Sequence, residues 1–60
     1  MTGKELVKKL QKDGWTLNRV NGSHHIMAKG NKTVSVPIHA GKDLTVGTLN
    51  KIIKDADLKG

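Results

Sequence analysis

The stretch Arg19-Val20-Asn21-Gly22-Ser23-His24-His25-Ile26 decides how the rest of the chain is read. Asn-Gly is the preferred pair for a two-residue type I′ hairpin turn, because both central residues need positive φ. Upstream, Trp15, Leu17 and Arg19 alternate with Thr16, Asn18 and Val20, the period of a half-buried strand. Downstream, a second strand is expected from Ser23 to about Ala28. With Asn21 and Gly22 as the loop, Val20 opposes Ser23, Arg19 opposes His24, Asn18 opposes His25 and Leu17 opposes Ile26. Trp15, Leu17, Arg19, His24, Ile26 and Ala28 then share a face, and its apolar members mark it as the helix-covered side. The two histidines are therefore expected to be inequivalent. His24 falls at the rim of the core beside Arg19, and His25 looks toward the open face with Asn18.

Before the hairpin, Thr2-Gly3-Lys4-Glu5 has the capping-box pattern of Thr followed three residues later by Glu. Leu6, Val7 and Leu10 fall on one helical face, and Asp13-Gly14 is a good stop, so a short amphipathic helix is expected over residues 3 to 13. After it, Lys29-Gly30-Asn31-Lys32 makes a second turn and Val34, Val36 and Ile38 a third strand. Pro37 cannot donate a ladder hydrogen bond, so that strand is an edge or ends there. His39 to Asp43 reads as a loop. Leu49, Ile52, Ile53 and Ala56 recur at helical spacing behind Thr45 as N-cap, and Asp55 to Gly60 is expected to fray. The fold class is α+β, α-β-β-β-α: a three-stranded antiparallel sheet with two helices on one face. Residues 1–60 are expected to form a single domain.

Composition narrows the partners. Eleven Lys and Arg against five Asp and Glu give +6 with histidine neutral, which favours an anionic partner such as nucleic acid over a merely solvated lysine surface. Lys8, Lys9, Lys12, Lys29, Lys32, Lys51 and Lys54 are candidates for sequence-independent backbone contacts. Trp15 is the single aromatic residue, so a platform of stacked bases is not supported. There is no cysteine, which removes disulfides and thiolate ligands. No apolar run approaches the ~20 residues of a membrane span, and the expected location is the cytoplasm.

Histidine suits general acid–base chemistry near neutral pH. Beside Arg19, His24 has a cation neighbour that favours a neutral base form, and the guanidinium could hold a phosphate against it. The alternative is that His24 is simply a polar residue terminating the core. His25 is assigned at most a contact with solvent, RNA or a partner chain, and His39 a structural or RNA-contacting role. Adjacent strand residues diverge and no Asp, Glu or Cys stands at ligand spacing around these histidines, so no metal and no cofactor are expected. No Gly-rich phosphate loop or Ser/His/Asp arrangement can be assembled.

Taken together, several segments resemble the HicA family of bacterial toxin ribonucleases. They are Asp13-Gly14-Trp15 after a short helix, Arg19 through Gly22-Ser23-His24-His25, Val34-Ser35-Val36-Pro37-Ile38-His39, and Lys42-Asp43-Leu44 through Gly47-Thr48-Leu49-Asn50-Lys51-Ile52-Ile53-Lys54. The ending Asp55-Ala56-Asp57-Leu58 departs from the Gln-Ala-Gly-Leu type common in that family. The resemblance implies a double-stranded-RNA-binding-domain-like fold and a metal-independent, ribosome-independent mRNA endonuclease, monomeric when free and neutralised in a hetero-oligomer by a HicB-type antitoxin. It also implies that the catalytic histidine of Gly-Ser-His is His24. In that reading His24 assists attack of the ribose 2′-OH on the adjacent phosphodiester. Arg19, Ser23, His25, Lys8, Lys12, Lys29 and Lys32 are the RNA-contact candidates. The competing expectation is a non-catalytic double-stranded-RNA-binding-like module. Such modules place lysines at a helix N-terminus, where this chain has Thr45-Val46-Gly47-Thr48.

Overall fold

Both helices are delimited by groups that satisfy their free backbone ends. A computed structural model describes residues 1–39 and 41–58. Helix α1 (Gly3–Lys12) opens on a complete capping box: the Thr2 hydroxyl accepts from the Glu5 N–H at 3.2 Å, and the Glu5 carboxylate accepts from the Thr2 N–H at 2.9 Å. It closes on a Schellman motif, with the Trp15 N–H donating to the Leu10 carbonyl at 3.0 Å and the Gly14 N–H to Gln11 at 3.1 Å. Gly14 takes the left-handed position at φ +99°, as the Asp13-Gly14 signal predicts.

Helix α2 (Val46–Asp55) starts at Thr45, whose hydroxyl accepts from the Thr48 N–H at 3.3 Å. It ends on the same motif as α1. Leu58 N–H donates to Ile53 at 3.0 Å and Asp57 N–H to Lys54 at 3.2 Å, with Asp57 at φ 52°. This corrects the expectation of fraying over Asp55 to Leu58. Leu58 is only 7% exposed and belongs to the core, because the Schellman turn folds the next apolar residue back onto the helix. Lys59 and Gly60 of that expected tail, and Ala40 of the expected loop, lie outside the described residues.

The sheet comprises β1 (Thr16–Asn21), β2 (His24–Lys29) and β3 (Lys32–Pro37), antiparallel in the order β1-β2-β3. Its first hairpin differs from the sequence reading. Asn21 pairs with His24, so the loop is Gly22-Ser23 rather than Asn21-Gly22. Gly22 has φ +61°, whereas Asp57 is the only described non-glycine residue with positive φ. A glycine at positive φ followed by a residue at negative φ is the type II′ pattern, not type I′. Arg19 consequently opposes Ile26, and His25 opposes Val20.

A second departure matters more. The register slips between Leu17 and Arg19, leaving Asn18 as the extra residue of a β-bulge. Leu17 opposes Met27 and Arg19 opposes Ile26, so the two sides of the bulge present their odd-numbered residues to opposite faces. The apolar signal of Trp15 and Leu17 therefore does not carry through to Arg19 and His24. The helix-covered face holds His25 and Met27, paired with Val36 and Val34. His24 and Arg19 stand on the open face, which reverses the expected orientation of the two histidines.

Leu6, Leu10, Trp15, Met27, Val34, Val36, Ile52, Ala56 and Leu58 form one buried cluster, with Val7, Ile38, Leu44, Leu49 and Ile53 packed against it. Helix α1 touches all three strands, and α2 packs along β3. Pro37 ends β3, and the next N–H, of Ile38, donates to the Ser23 carbonyl at 2.7 Å. At that corner Gly3 lies against the Pro37 carbonyl and Ile38 so tightly that there is no room for a Cβ.

Candidate functional site

His24 opens β2 on the face away from the core, opposite Pro37 at the end of β3. Its side chain is exposed, and it forms one end of a groove of about 360 Å³ between the strands and α2. Helix α2 runs antiparallel to β3. Thr48 in its first turn shares a depression with Pro37, while Ala56 and Asp57 beyond its end share one with Asn31 and Lys32. Because α2 lies along β3, its polar residues Thr48, Lys51 and Asp55 reach the groove that His24 enters from the sheet. Ser35 and Thr33, alternate residues of β3, line the opposite wall. Ile52 and Val34 form the apolar floor that joins this groove to the core.

Arg19 shares the open face with His24 but lies two residue pairs further along, opposite Ile26 rather than opposite His24. A long guanidinium-bearing side chain spans such diagonal positions. Ser23 is exposed in the turn, where its carbonyl caps the end of β3 by accepting from Ile38. His25 is half-buried on the other side of the sheet between Val20 and Val36, and its Nδ1 is buried without a hydrogen-bond partner. The two histidines therefore do not meet in one site.

The four lysines among the RNA-contact candidates lie elsewhere. Lys29 and Lys32 pair with each other at the far end of the hairpin, five residues or roughly 16 Å along β2 from His24. Lys29 is also tied down, donating to the Asp13 carbonyl at 2.6 Å and reaching its carboxylate at 3.4 Å. Lys8 and Lys12 lie on the outer surface of α1 beside Lys9 and Glu5. Lys51 is the lysine brought into the groove with His24. Thr48, Asp55, Thr33 and Ser35 were not singled out from the sequence. Their only signal was a polar strip at i, i+3 and i+7 on α2 and the alternation of β3, and neither says that the two strips face one groove. His39 is exposed in the loop after β3. Among the described residues no three His, Asp or Glu side chains cluster as metal ligands would.

A comparison with known families gives a match over residues 3–58 to the family described as HicA toxin of bacterial toxin-antitoxin. The chain belongs to the HicA toxin family. The match spans nearly the whole chain and includes both helices, all three strands and every residue of the groove. As a family member this HicA chain is a toxin of a toxin–antitoxin system, and an antitoxin partner is implied. No curated protein is similar enough to be matched. No helix among the described residues is long and apolar enough to cross a membrane.

Proposed function

We propose that this HicA toxin is a metal-independent mRNA endonuclease in which His24 is the general acid–base residue. The observation that carries the reading is the placement of the Gly-Ser-His histidine. His24 is exposed at the mouth of a polar groove, on the face that also bears Arg19 and is left uncovered by the helices. An RNA strand can reach it there without displacing any core residue.

In the proposed reaction the imidazole takes the proton from a ribose 2′-OH as that oxygen attacks the adjacent phosphorus. The bond from phosphorus to the 5′-oxygen breaks, that oxygen takes a proton from a solvent water, and a 2′,3′-cyclic phosphate remains. Arg19 stabilises charge on the non-bridging oxygens. Lys8, Lys12 and Lys32 contribute to the net charge of +6 that draws the polyanion in. A HicB-type antitoxin silences the toxin by covering this surface in a hetero-oligomer, and the substrate places both in the prokaryotic cytoplasm.

The test is incubation of a labelled single-stranded RNA with the protein and with His24→Ala, each with and without EDTA. Removal of one positioned acid–base group is expected to slow cleavage by about 10²–10⁴-fold. EDTA is expected to change nothing, and RNA lacking 2′-hydroxyls should resist cleavage. Undiminished cleavage by His24→Ala would remove that residue from the mechanism, and binding without cut products would leave a plain RNA-binding module.

A further inference from the structure

The groove beside His24 changes character along its length. Imidazole stands at one end, hydroxyls of Ser35, Thr33 and Thr48 line both walls, the Lys51 ammonium lies partway along, and the Asp55 carboxylate lies at the far end. Thr48 and Asp55 are two helical turns apart, about 10 Å along α2. The ion pairs among the described residues join Met1 to Asp43 and Lys29 to Asp13, and neither Lys51 nor Asp55 takes part in one of them.

A carboxylate in the path of a polyanion repels phosphate. It must therefore face a part of the nucleotide that donates hydrogen bonds, since a carboxylate offers two acceptor oxygens and no donor. No Phe, Tyr or Trp lines the groove and its one imidazole stands at the opposite end, so selection beside Asp55 rests on the edge of a base and not on stacking. Guanine alone presents two adjacent donors, N1–H and N2–H, on its Watson–Crick edge. The amino donors of adenine and cytosine are flanked by ring-nitrogen acceptors, and the uracil N3–H sits between two carbonyls. Any of those three would set an acceptor against the second carboxylate oxygen.

We propose that the groove between β3 and α2 is a guanine subsite flanking the scissile phosphate. Lys51 holds the neighbouring phosphate, and Asp55 accepts from N1–H and N2–H of the base. The subsite's place in a reaction rests on the endonuclease reading of His24, whereas its binding preference does not.

The experiment uses fluorescence anisotropy with 2′-O-methyl oligonucleotides of six uridines in which one internal position is G, A, C or left as U. Being uncleavable, they report binding alone. The G-containing oligonucleotide is expected to bind the unmodified protein about tenfold more tightly than the other three, the discrimination of one good bidentate contact. Asp55→Asn should abolish that preference. Asp57→Asn, the same change of charge two residues on and outside the groove, should keep it. Lys51→Gln should weaken all four alike. Equal binding of the four sequences, no binding of any, or a G preference that survives Asp55→Asn overturns the proposal. A failure of the His24 reading is distinguishable, because it shows as undiminished RNA cleavage by His24→Ala.

Discussion

His24 and His25 are covalent neighbours with the same side chain, and the sheet gives them opposite surroundings. His24 is solvated, so His24→Ala is expected to change unfolding free energy by no more than about 0.5 kcal/mol while removing activity. His25 holds a buried nitrogen without a partner beside Val20 and Val36, and such a group carries an unrecovered desolvation cost. His25→Val puts a β-branched apolar side chain against those valines and is expected to raise stability by about 1 kcal/mol in urea titration. A loss of stability would show that the imidazole makes a bond essential to the fold. Gly3 is tightly enclosed at the corner where β3 ends opposite His24. An added Cβ would meet the Pro37 carbonyl and come within 2.7 Å of Ile38 Cδ1. Gly3→Ala is therefore expected to cost about 1–3 kcal/mol, read from the urea midpoint.

At the scale of elements, both helices depend on their caps. Thr2→Ala removes the α1 N-cap and should cost about 1 kcal/mol. The same cap predicts a pH effect. The Thr2 backbone N–H, and after it the Thr2 hydroxyl, hold the Glu5 carboxyl below its ordinary range. A group whose folded pKa is depressed stabilises above its unfolded value and loses that contribution as pH falls through the folded one. Acidification below about pH 4 should therefore destabilise the natural protein more than Glu5→Gln, which has no carboxyl to protonate there, measured by thermal unfolding at both ends of that range. At the other end of the fold, Asp57 occupies a left-handed position usually given to glycine. Asp57→Gly is expected to gain about 0.5 kcal/mol, and Asp57→Val to lose about 1 kcal/mol or more. These caps were legible in the sequence because each is a contact between residues within a few positions of one another. Only the burial of Leu58 escaped, since Asp57 does not announce a left-handed turn as glycine does.

In the whole molecule, stability is uneven. None of the six residues of β1 is buried, and the strand is an edge whose ladder is interrupted at Asn18. Hydrogen exchange of its outward-facing amides is expected to be the fastest in the sheet, and equal protection across β1 and β2 would contradict this. RNA binding that engages Arg19 and Lys51 should weaken with salt at a logarithmic slope of roughly −1.4 or steeper. The sequence by itself determined the elements: an α-β-β-β-α order, both helix starts, the first helix stop, the Pro37 end of β3 and the apolar positions of both helices. Those follow from periodicity and short-range hydrogen bonding. The tertiary structure alone decided which face His24 occupies and what stands near it. One extra residue at Asn18 moves Trp15 and Leu17 to the core side and leaves Arg19 and His24 outside, and a bulge is stabilised by cross-strand packing that no single strand encodes. The meeting of His24 with Lys51 and Asp55 depends on α2 lying antiparallel along β3, a contact between segments far apart in the chain.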